Sequence, residues 1–410
     1  MRIGLFTDIY PPFINGVTTS VAMLEKGLRE KGHEVFIVTV NPENFSYKLD
    51  NEDRVLKIPG FPTGFYDYRL SGIYPVRALK RIKEWDLDLI HVHTEFGIGT
   101  FARLVAEQYN IPIVYTYHTM WEDYTHYITK GYFDKTSKKI VEELTKSFCG
   151  KSVKEVIVPS KKAYDLFTEK YKVNHKVNII PTGIEVERFF KENIDKREID
   201  ELKQELKIKK DEFVILYVGR LAKEKNVELL LNSHKEIIKK NKHVKLLIVG
   251  SGPDYEKFVD MAKELGIKKN VTFTGAIPWE EIPKYYQLAD IFATASTSET
   301  QGLTIIEAMA ASLPVICADD IAFNSIVVND INGYLFNTSK EYIDSVNNLI
   351  KNKKKLENMS IEARETSENH SVERYAESVL KVYKRSVNKS NEEKNKKWYQ
   401  KLKDKIRGEE

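Results

Sequence analysis

The chain alternates short apolar runs with longer stretches of helical periodicity. In its first half, two stretches with apolar positions three and four apart, 17–31 and 97–109, predict helices. The apolar, β-branched runs that predict buried strands are 3–7, 35–40, 89–92, 113–116, 156–159 and 177–180. Repeated strand–helix–strand units predict a parallel sheet that helices cover on both faces.

The same alternation starts again after a charged stretch, residues 188–212. The second set of predicted strands is 214–218, 246–249, 271–274, 291–293 and 315–317. The predicted fold class is therefore α/β, with two Rossmann-like, doubly wound domains. Ligands in this architecture bind beyond the carboxyl ends of the strands, so we expect the site in a cleft where the two domains face each other.

The two strand series also set the predicted domain boundaries. We expect an N-terminal domain at 1–182, a linker at 183–211 and a C-terminal domain at 212–370. A helix at about 371–388 is expected to pack back on the N-terminal domain. The remaining residues, 389–410, form a basic tail whose apolar positions suit an amphipathic helix.

Composition excludes several classes of protein. The formal net charge of +4 is too small to imply a nucleic-acid partner on its own. Cys149 and Cys317 are far apart and lie beside apolar residues, which argues against a disulfide framework and for a reducing compartment. Residues 1–12 lack the apolar core of a signal peptide, and no apolar run approaches the roughly 20 residues of a spanning helix. We therefore expect a cytoplasmic protein that meets a membrane only at its surface.

The sharpest chemical signal is the stretch SETQGLTIIEAMAASLPVI, residues 298–316. A helix is predicted at 304–311, and the unpaired N–H groups at its start favour an anion such as a phosphate. Glu299 precedes this helix and Glu307 lies in its first turns, a placement suited to holding the two sugars of a nucleotide sugar. The alternative is that both are ordinary acids that the helix dipole favours. The residues at the helix start are Gly302, Leu303 and Thr304.

Two further loops follow predicted strands of the second half. The motif VGRLAKEKN places Arg220 and Lys225 where a guanidinium and an ammonium would neutralise a diphosphate. In VGSGPD, Gly250 and Gly252 allow close backbone approach, either in a base-binding loop or in a simple turn. Solvated surface charges are the alternative for the first motif.

The first half has candidates at its own strand ends. Gly16, in PPFINGVTTS, starts a predicted helix and gives a second site suited to an anion. His118, in YTYHTMW, lies just past a predicted strand, a position compatible with either a functional or a structural histidine. Asp86 and Asp88 precede a strand at its amino end, away from the expected cleft. We therefore predict no metal site and a mechanism that needs no metal.

The chain resembles the family 4 retaining glycosyltransferases, which have the GT-B fold, in GRLAKEKN, VGSGPD and SETQGLTIIEAMA. It resembles the bacterial 1,2-diacylglycerol 3-α-glucosyltransferases in TDIYPPFINGVTTSV, HVHTEFGIG, YTYHTMWEDYTHYI and IPTGIE. The resemblance covers about residues 1–385. It implies a hexosyltransferase that moves glucose from UDP-glucose to 1,2-diacylglycerol, makes monoglucosyldiacylglycerol and needs no cofactor. The N-terminal domain would bind the acceptor and the C-terminal domain the nucleotide sugar.

The resemblance assigns roles to the charged residues of the second half. It implies that Glu299 binds hydroxyls of the transferred sugar and that Glu307 binds the ribose. Arg220 and Lys225 are implied to hold the diphosphate. Retention is also implied, by attack on the front face with a diphosphate oxygen taking the acceptor proton.

Further roles follow from the resemblance alone. The loop with Gly250 and Gly252, together with Ile277, is implied to approach the uracil. His118 is implied to contact the sugar near the reaction centre, and Gly16 to line the cleft near the donor phosphate and the acceptor. The implied catalytic residues are His118, Glu299, Arg220 and Lys225.

One position departs from the family pattern, because Ser312 stands where the family usually has glycine. This position ends the helix predicted at 304–311, where a positive φ favours glycine. A serine costs local strain or changes the cap, but it removes no ligand.

A lipid acceptor requires contact with a bilayer, and three basic segments with aromatic residues suit an anionic surface. They are 69–83, 125–151 and the tail, where Trp398, Leu402 and Ile406 form an apolar stripe. The alternative is that these segments are solvated helical faces. We expect peripheral binding to the inner face of the cell membrane. The residues expected to contact membrane or acceptor are Arg69, Arg77, Lys80, Arg81, Trp121, Tyr127, Lys138, Lys139 and Trp398.

The sequence leaves other functions open. Phosphatidylinositol or a soluble sugar is an alternative acceptor, and UDP-galactose is an alternative donor because it differs from UDP-glucose at one hydroxyl. A non-catalytic module that binds nucleotide sugars or lipids is a different class, against which the intact set of charged site residues argues. The basic tail raises nucleic acid as a partner, but no groove motif of basic and aromatic residues supports it.

Overall fold

A computed structural model describes residues 1–13, 15–43, 45–50, 53–62, 69–72, 76–95, 97–120, 134–150 and 152–407. The chain divides into two compact units. The first joins Met1–Gly183 to Val372–Glu410, and the second is Ile184–Ser371. Each unit contains a mainly or wholly parallel sheet with helices, so the prediction of two Rossmann-like α/β domains is confirmed.

The first unit is built on an eight-stranded sheet with the order β10-β9-β8-β7-β1-β2-β4-β3. All neighbours are parallel except β3 and β4. Strands β5 and β6 form a separate antiparallel pair. The strands are β1 Arg2–Phe6, β2 Glu34–Val40, β3 Lys48–Asp50, β4 Val55–Ile58, β5 Gly60–Pro62, β6 Arg69–Ser71, β7 Leu89–Val92, β8 Ile113–Thr116, β9 Val153–Val158 and β10 Lys176–Ile179.

The central strands of this sheet are apolar because both faces are covered. In β1, Ile3 and Leu5 pack into one hydrophobic layer and Phe6 packs into the other. All six predicted strands are present. Strands β3 to β6 were not predicted, since they are only three or four residues long. The helices are α1 Gly16–Glu30, α2 Val76–Glu84, α3 Gly97–Tyr109, α4 Asp134–Phe148, α5 Lys161–Asp165, which continues as the π-helical turn Leu166–Lys170, and α13 Val372–Arg407.

The long C-terminal helix α13 belongs to the first unit, which is where we predicted the helix at about 371–388 to pack. Tyr375, Val379 and Tyr383 are buried in the layer that also contains Ile3 and Leu5. Arg385 donates two hydrogen bonds to the Glu155 carboxylate, at 2.7 and 3.0 Å. Residues 391–400 extend the same helix with mostly exposed side chains, so the predicted tail is a continuation of α13.

The second unit is built on a six-stranded parallel sheet with the order β13-β12-β11-β14-β15-β16. The strands are β11 Phe213–Val218, β12 Val244–Val249, β13 Val271–Phe273, β14 Ile291–Thr294, β15 Val315–Ala318 and β16 Gly333–Phe336. In order of appearance this is 3-2-1-4-5-6, the Rossmann arrangement, whose strand order reverses between β11 and β14. The five predicted strands are present, and β16 was missed because GYLF is short and begins with glycine.

Helices connect the strands of the second sheet. They are α6 Lys196–Glu205, α7 Val227–Lys240, α8 Tyr255–Glu264, α9 Ile282–Tyr286, α10 Leu303–Ala310, α11 Ser339–Lys351 and α12 Lys353–Glu368, with 3-10 turns at Val186–Phe189, Lys191–Asn193 and Lys223–Lys225. Neighbouring residues of β11 alternate between two layers: Val214 and Leu216 pack on one side, Ile215 and Tyr217 on the other.

The stretch that we predicted as a linker, 183–211, is not a free connection. Residues 184–211 belong to the second unit. Val186, Phe189 and Ile208 are buried in the hydrophobic cluster that also holds α10. The prediction failed because the high charge of this stretch, which reflects the exposed surface of α6, conceals the three apolar anchors.

Ser312 ends α10 in the left-handed conformation that we predicted, with φ of 64°. Its N–H donates to the Met309 carbonyl and the Leu313 N–H donates to the Ala308 carbonyl, both at 2.9 Å. These two bonds form a Schellman motif, whose C′ position is usually glycine. The departure from the family pattern therefore places a Cβ atom where the backbone disfavours one.

We predict that Ser312→Gly raises the free energy of unfolding of the second unit by about 1 kcal/mol, because glycine adopts a positive φ without steric cost. Urea or thermal unfolding of both proteins measures the difference. Ser312→Ala is the matched control, since it keeps the Cβ atom and should give no gain. A glycine variant no more stable than the alanine variant would contradict the strain argument.

Candidate functional site

The loop after β11 presents Arg220 and Lys225. The chain leaves Val218, passes through the 3-10 turn Lys223–Lys225 and enters α7 at Val227. The Arg220 guanidinium forms an ion pair with Glu224. Both basic side chains thus lie past the carboxyl end of the strand at which the sheet reverses its order, as the sequence predicted.

The loop after β14 brings Glu299 to the same place. Lys225 Nζ donates to Glu299 Oε1 at 2.5 Å, and the two side chains are only 15% and 25% exposed. Because β11 and β14 are neighbours, their carboxyl ends open onto one crevice. The structure therefore unites an ammonium and a carboxylate that are 74 residues apart in sequence.

Helix α10 follows this loop, one residue earlier than predicted. Its N-cap, Gly302, has φ of 80°, and a Cβ atom there would approach the Phe323 ring to 2.6 Å. Glycine is thus required by both conformation and space, and it brings no side chain to cap the helix. The backbone at Leu303 and Thr304 forms the first turn, the part of a helix that favours anions.

Glu307 lies one turn into α10. Its carboxylate accepts a hydrogen bond from the Tyr286 hydroxyl at 2.7 Å. Burial raises the pKa of Glu307, whereas the Tyr286 hydrogen bond and the charge of Arg188 oppose this rise. The Arg188 guanidinium lies over the Trp279 ring, 3.4 Å from its centroid. Arg188 and Tyr286 therefore both favour the charged form of Glu307, the residue predicted to bind the ribose. Sequence analysis missed these two residues.

The glycine loop after β12 packs directly on the loop after β11. Gly250 has φ of 135°, and a Cβ atom there would lie 2.0 Å from the Gly219 carbonyl oxygen. At Gly252 the same atom would lie 2.3 Å from the Leu221 carbonyl oxygen. The close packing of the two loops therefore requires glycine at both positions, independently of the predicted approach of this loop to a base. Ile277 is partly buried against the core cluster of α10, and its contact with uracil stays a prediction.

Three histidines lie together in the first unit, at β7 and just past β8. His93 Nδ1 and His118 Nε2 are 2.9 Å apart and share a hydrogen bond. His91 is bonded through Nδ1 to the Tyr383 hydroxyl and through Nε2 to the Thr116 hydroxyl, both at 2.6 Å. Burial lowers the pKa of each ring, that of His118 to about 3. The predicted sugar contact, His118, is therefore a neutral imidazole at neutral pH.

Sequence analysis missed His91, His93 and Asp8 as partners at these strand ends. The Asp8 carboxylate accepts from the Ile98 N–H at the start of α3 at 3.0 Å, and its own N–H donates to the Thr94 hydroxyl at 2.9 Å. Burial raises the pKa of Asp8. The available signal was the presence of polar residues within or beside strands buried on both faces, where an unpaired polar group is costly.

Gly16 is the first residue of α1, as predicted. The Asn15 side chain already caps this helix, since its Oδ1 accepts from the Thr18 N–H at 3.0 Å and from the Thr18 hydroxyl at 3.1 Å. Asp88 lies at the amino end of β7, where it accepts from the Arg2 N–H at 2.8 Å. Among the described residues, no group of three His, Cys, Asp or Glu side chains is placed to hold a metal ion. Metal independence stays a prediction.

The predicted membrane residues fall into three groups. Arg77 and Lys80 are exposed on α2, whereas Arg81 is paired with Glu84 and Asp53, both at 2.8 Å. Lys138 and Lys139 lie on α4, and Trp398 on α13 is 59% exposed. Arg69 donates to the Gly60 carbonyl at 3.0 Å.

Trp121 and Tyr127, as well as the side chains of Leu402 and Ile406, lie outside the described residues. No helix of the described part combines the length and hydropathy that crossing a bilayer requires.

Two family models match the chain. Glycosyltransferase Family 4 matches residues 14–188, and Glycosyl transferases group 1 matches residues 198–366. The two matched ranges correspond to the two units of the fold. The second range contains Arg220, Lys225, Glu299 and Glu307, the four charged residues assembled around the switch point.

Relatives named alpha-monoglucosyldiacylglycerol synthase match most of the chain. The protein of Acholeplasma laidlawii is 36% identical over 406 residues, which are 97% of this chain and 100% of the relative. The protein of Streptococcus pneumoniae is 38% identical over 337 residues, which are 82% of this chain and 75% of the relative. The expected resemblance is therefore confirmed by similarity along the full length of one relative.

Solved structures of more distant proteins share the fold. Anabaena Alr3699/HepE in complex with UDP-glucose has a TM-score of 0.71 at 19% identity, over 93% of this chain and 98% of that chain. Sucrose-phosphate synthase from Thermosynechococcus elongatus has the same TM-score, identity and coverage. The two family models and the relative matched over its whole length identify the chain as a member of the family 4 glycosyltransferases that include the alpha-monoglucosyldiacylglycerol synthases.

Proposed function

We propose that this chain transfers glucose from UDP-glucose to 1,2-diacylglycerol with retention and makes monoglucosyldiacylglycerol at the inner face of the cell membrane. The observation that carries the proposal is the contact between Lys225 and Glu299 at the switch point of the second sheet. A nucleotide sugar presents a diphosphate beside sugar hydroxyls, and this pair offers a cation beside a hydroxyl acceptor. The acceptor is supported by the 36% identity to the Acholeplasma laidlawii synthase.

In the proposed reaction, the bond between the anomeric carbon and the diphosphate oxygen breaks. A bond to the acceptor hydroxyl oxygen forms on the same face of the sugar, and the leaving diphosphate takes the acceptor proton. Negative charge grows on the diphosphate as it leaves, so Arg220 and Lys225 stabilise the transition state more than the ground state. Glu299 orients the sugar by accepting hydrogen bonds from its hydroxyls.

Glu307 is proposed to bind the ribose of the donor. A carboxylate accepts hydrogen bonds from two adjacent hydroxyls, which a protonated carboxyl group does less well. Arg188 and the Tyr286 hydroxyl favour the carboxylate form against the effect of burial. They are therefore proposed to keep Glu307 competent for donor binding near neutral pH.

A labelled sugar-transfer assay tests the proposed function. UDP-glucose and UDP-galactose are offered separately to mixed micelles of diacylglycerol and anionic lipid, without divalent metal. We expect label in the lipid phase with UDP-glucose. Label in the lipid phase with UDP-galactose but not with UDP-glucose would identify UDP-galactose as the donor. Label that appears only with phosphatidylinositol or a soluble sugar would overturn the diacylglycerol acceptor.

In the same assay, Lys225→Ala and Glu299→Ala should each lower kcat/KM by about 100-fold or more, because each removes a charged group from the reacting bond. Lys223→Ala is the matched control, since Lys223 lies on the same 3-10 turn and is exposed. Circular dichroism and unfolding curves should match the wild type. Either site variant turning over at the wild-type rate would rule out the assignment.

The raised pKa of Glu307 predicts that donor affinity falls on mild acidification. The carboxylate is lost as pH drops through a pKa above the ordinary glutamate value, so the KM for UDP-glucose rises at a higher pH than for an exposed glutamate. Arg188→Met removes a favourable charge and should move this rise to still higher pH. Glu307→Gln should abolish the dependence, and Arg188→Lys should retain most of it. An unchanged profile in Arg188→Met would refute the coupling.

The exposed end of α13 is proposed to help bind an anionic bilayer. Trp398 and Tyr399 are 59% and 60% exposed, and lysines surround them. Deleting residues 391–410 should weaken co-sedimentation with anionic vesicles and leave donor hydrolysis intact. Residues up to Ser390 remain, so the buried part of α13 keeps its packing. Unchanged sedimentation of the truncated protein would remove the tail from the membrane contact.

A further inference from the structure

The first unit carries an exposed aromatic pair besides Trp398 and Tyr399 of α13. The ring centroids of Phe45 and Phe61 are 4.5 Å apart. Phe45 remains 59% exposed and Phe61 60% exposed despite this contact. Two adjoining exposed rings form a contiguous apolar patch, and patches of this kind mark interaction surfaces more often than single exposed residues do.

A basic residue lies on the strand that pairs with the strand of Phe61. Phe61 lies in β5, and its neighbour Pro62 is paired with Arg69 of β6. The Arg69 guanidinium donates to the Gly60 carbonyl at 3.0 Å, so its charge is anchored beside the ring-bearing strand. Because successive side chains alternate between the two faces of a strand, Arg69 lies on the face opposite to that of the Phe61 ring.

Helix α2 supplies more positive charge to the same part of the unit. It begins a few residues after β6, and the charge of Arg77 acts on the phenol of Tyr47, two residues from Phe45. Burial raises the pKa of Tyr47, and Arg77 opposes that rise. Arg77 and Lys80 are exposed, and Val76 at the helix start is 66% exposed.

The apolar face of α2 is not available to a partner. Ala78, Leu79 and Ile82 are buried in the core of the first unit. The outward face of the helix therefore offers charge but little apolar area. A surface that binds lipid through basic residues also needs apolar groups to enter the bilayer interface. The exposed aromatic pair is placed to supply them.

We propose that Phe45 and Phe61 are membrane anchors, whose rings enter the interface of an anionic bilayer while Arg77 and Lys80 face the lipid headgroups. This inference rests on the proposed function, since it names the contact by which a lipid-modifying enzyme meets its substrate surface. The charge complementarity favours an anionic membrane as the occupant. Binding of an acidic protein to the same patch is an outcome that the test separates.

Co-sedimentation with vesicles tests the proposal. The double variant Phe45→Ser, Phe61→Ser should lose about tenfold or more in partition onto vesicles of phosphatidylcholine and phosphatidylglycerol, because two rings no longer leave water. Ile361→Ser is the matched control: Ile361 is 58% exposed on α12 of the second unit, and its loss should change nothing. The double variant Arg77→Gln, Lys80→Gln should reduce the preference for these anionic vesicles over vesicles of phosphatidylcholine alone.

A second measurement keeps the Phe45 ring and reports directly on insertion at position 61. A single cysteine at position 61 or 361 is labelled with an environment-sensitive dye, since both native cysteines, Cys149 and Cys317, are buried. Anionic vesicles should shift the emission to the blue at position 61 and leave it unchanged at position 361. No shift at position 61 while the protein sediments with the vesicles would overturn the proposal.

The outcomes separate this inference from the proposed function. If the wild type transfers glucose to diacylglycerol and the double serine variant binds vesicles equally well, the anchors are refuted and the function stands. If the wild type makes no lipid product, the function fails, whatever the vesicle result. A wild type that does not bind the vesicles would overturn the membrane contact and leave a protein partner as the alternative occupant.

Discussion

The donor-half site depends on one constraint, the reversal of strand order between β11 and β14. Both strands are parallel neighbours, with Ile215 opposite Ile291. Their helices leave in opposite directions, so the loops that follow them border an open crevice. Arg220 and Lys225 come from one loop and Glu299 from the other. A register shift of one residue would move every buried side chain of β11 to the wrong face, so the site and the core are fixed by the same pairing.

Within this crevice the charges are organised as two opposed pairs. Arg220 faces Glu224, and Lys225 faces Glu299. These contacts hold each basic group beside the crevice, near the position proposed for the diphosphate. Preorganised charges of this kind contribute more to the transition state than charges that must first be gathered from solvent.

Local patterns predicted the central features of both units because those features are local. Apolar runs marked the buried strands, and helix-start chemistry marked Gly302. The glycine that the family usually has at position 312 marked the positive φ at the end of α10. Strands β3 to β6 and β16 are only three or four residues long, so none of them carries an apolar run long enough to signal a buried strand. The supposed linker was misjudged for a different reason, since its few apolar anchors acquire meaning only in the presence of α10.

The site shows the same division between local and non-local information. Motifs placed the groups expected to touch the donor, but not the residues that tune them. Arg188 acts on Glu307 from a segment 119 positions away, and His93 meets His118 across two adjacent strands. Packing decides which residues become such partners. The sequence alone therefore indicates them only as polar residues within apolar stretches.

The first unit shows why charge counts alone misjudge a membrane surface. Helix α2 has the basic, amphipathic sequence expected of a lipid-binding segment, yet its apolar side belongs to the core and Arg81 is committed to Asp53 and Glu84. The remaining cations give about 1 kcal/mol each near an anionic surface, an attraction that salt weakens. Apolar insertion is not screened in this way. A stable contact therefore requires exposed apolar groups from elements other than α2. The segments beside this helix, rather than the helix itself, are where such groups are expected.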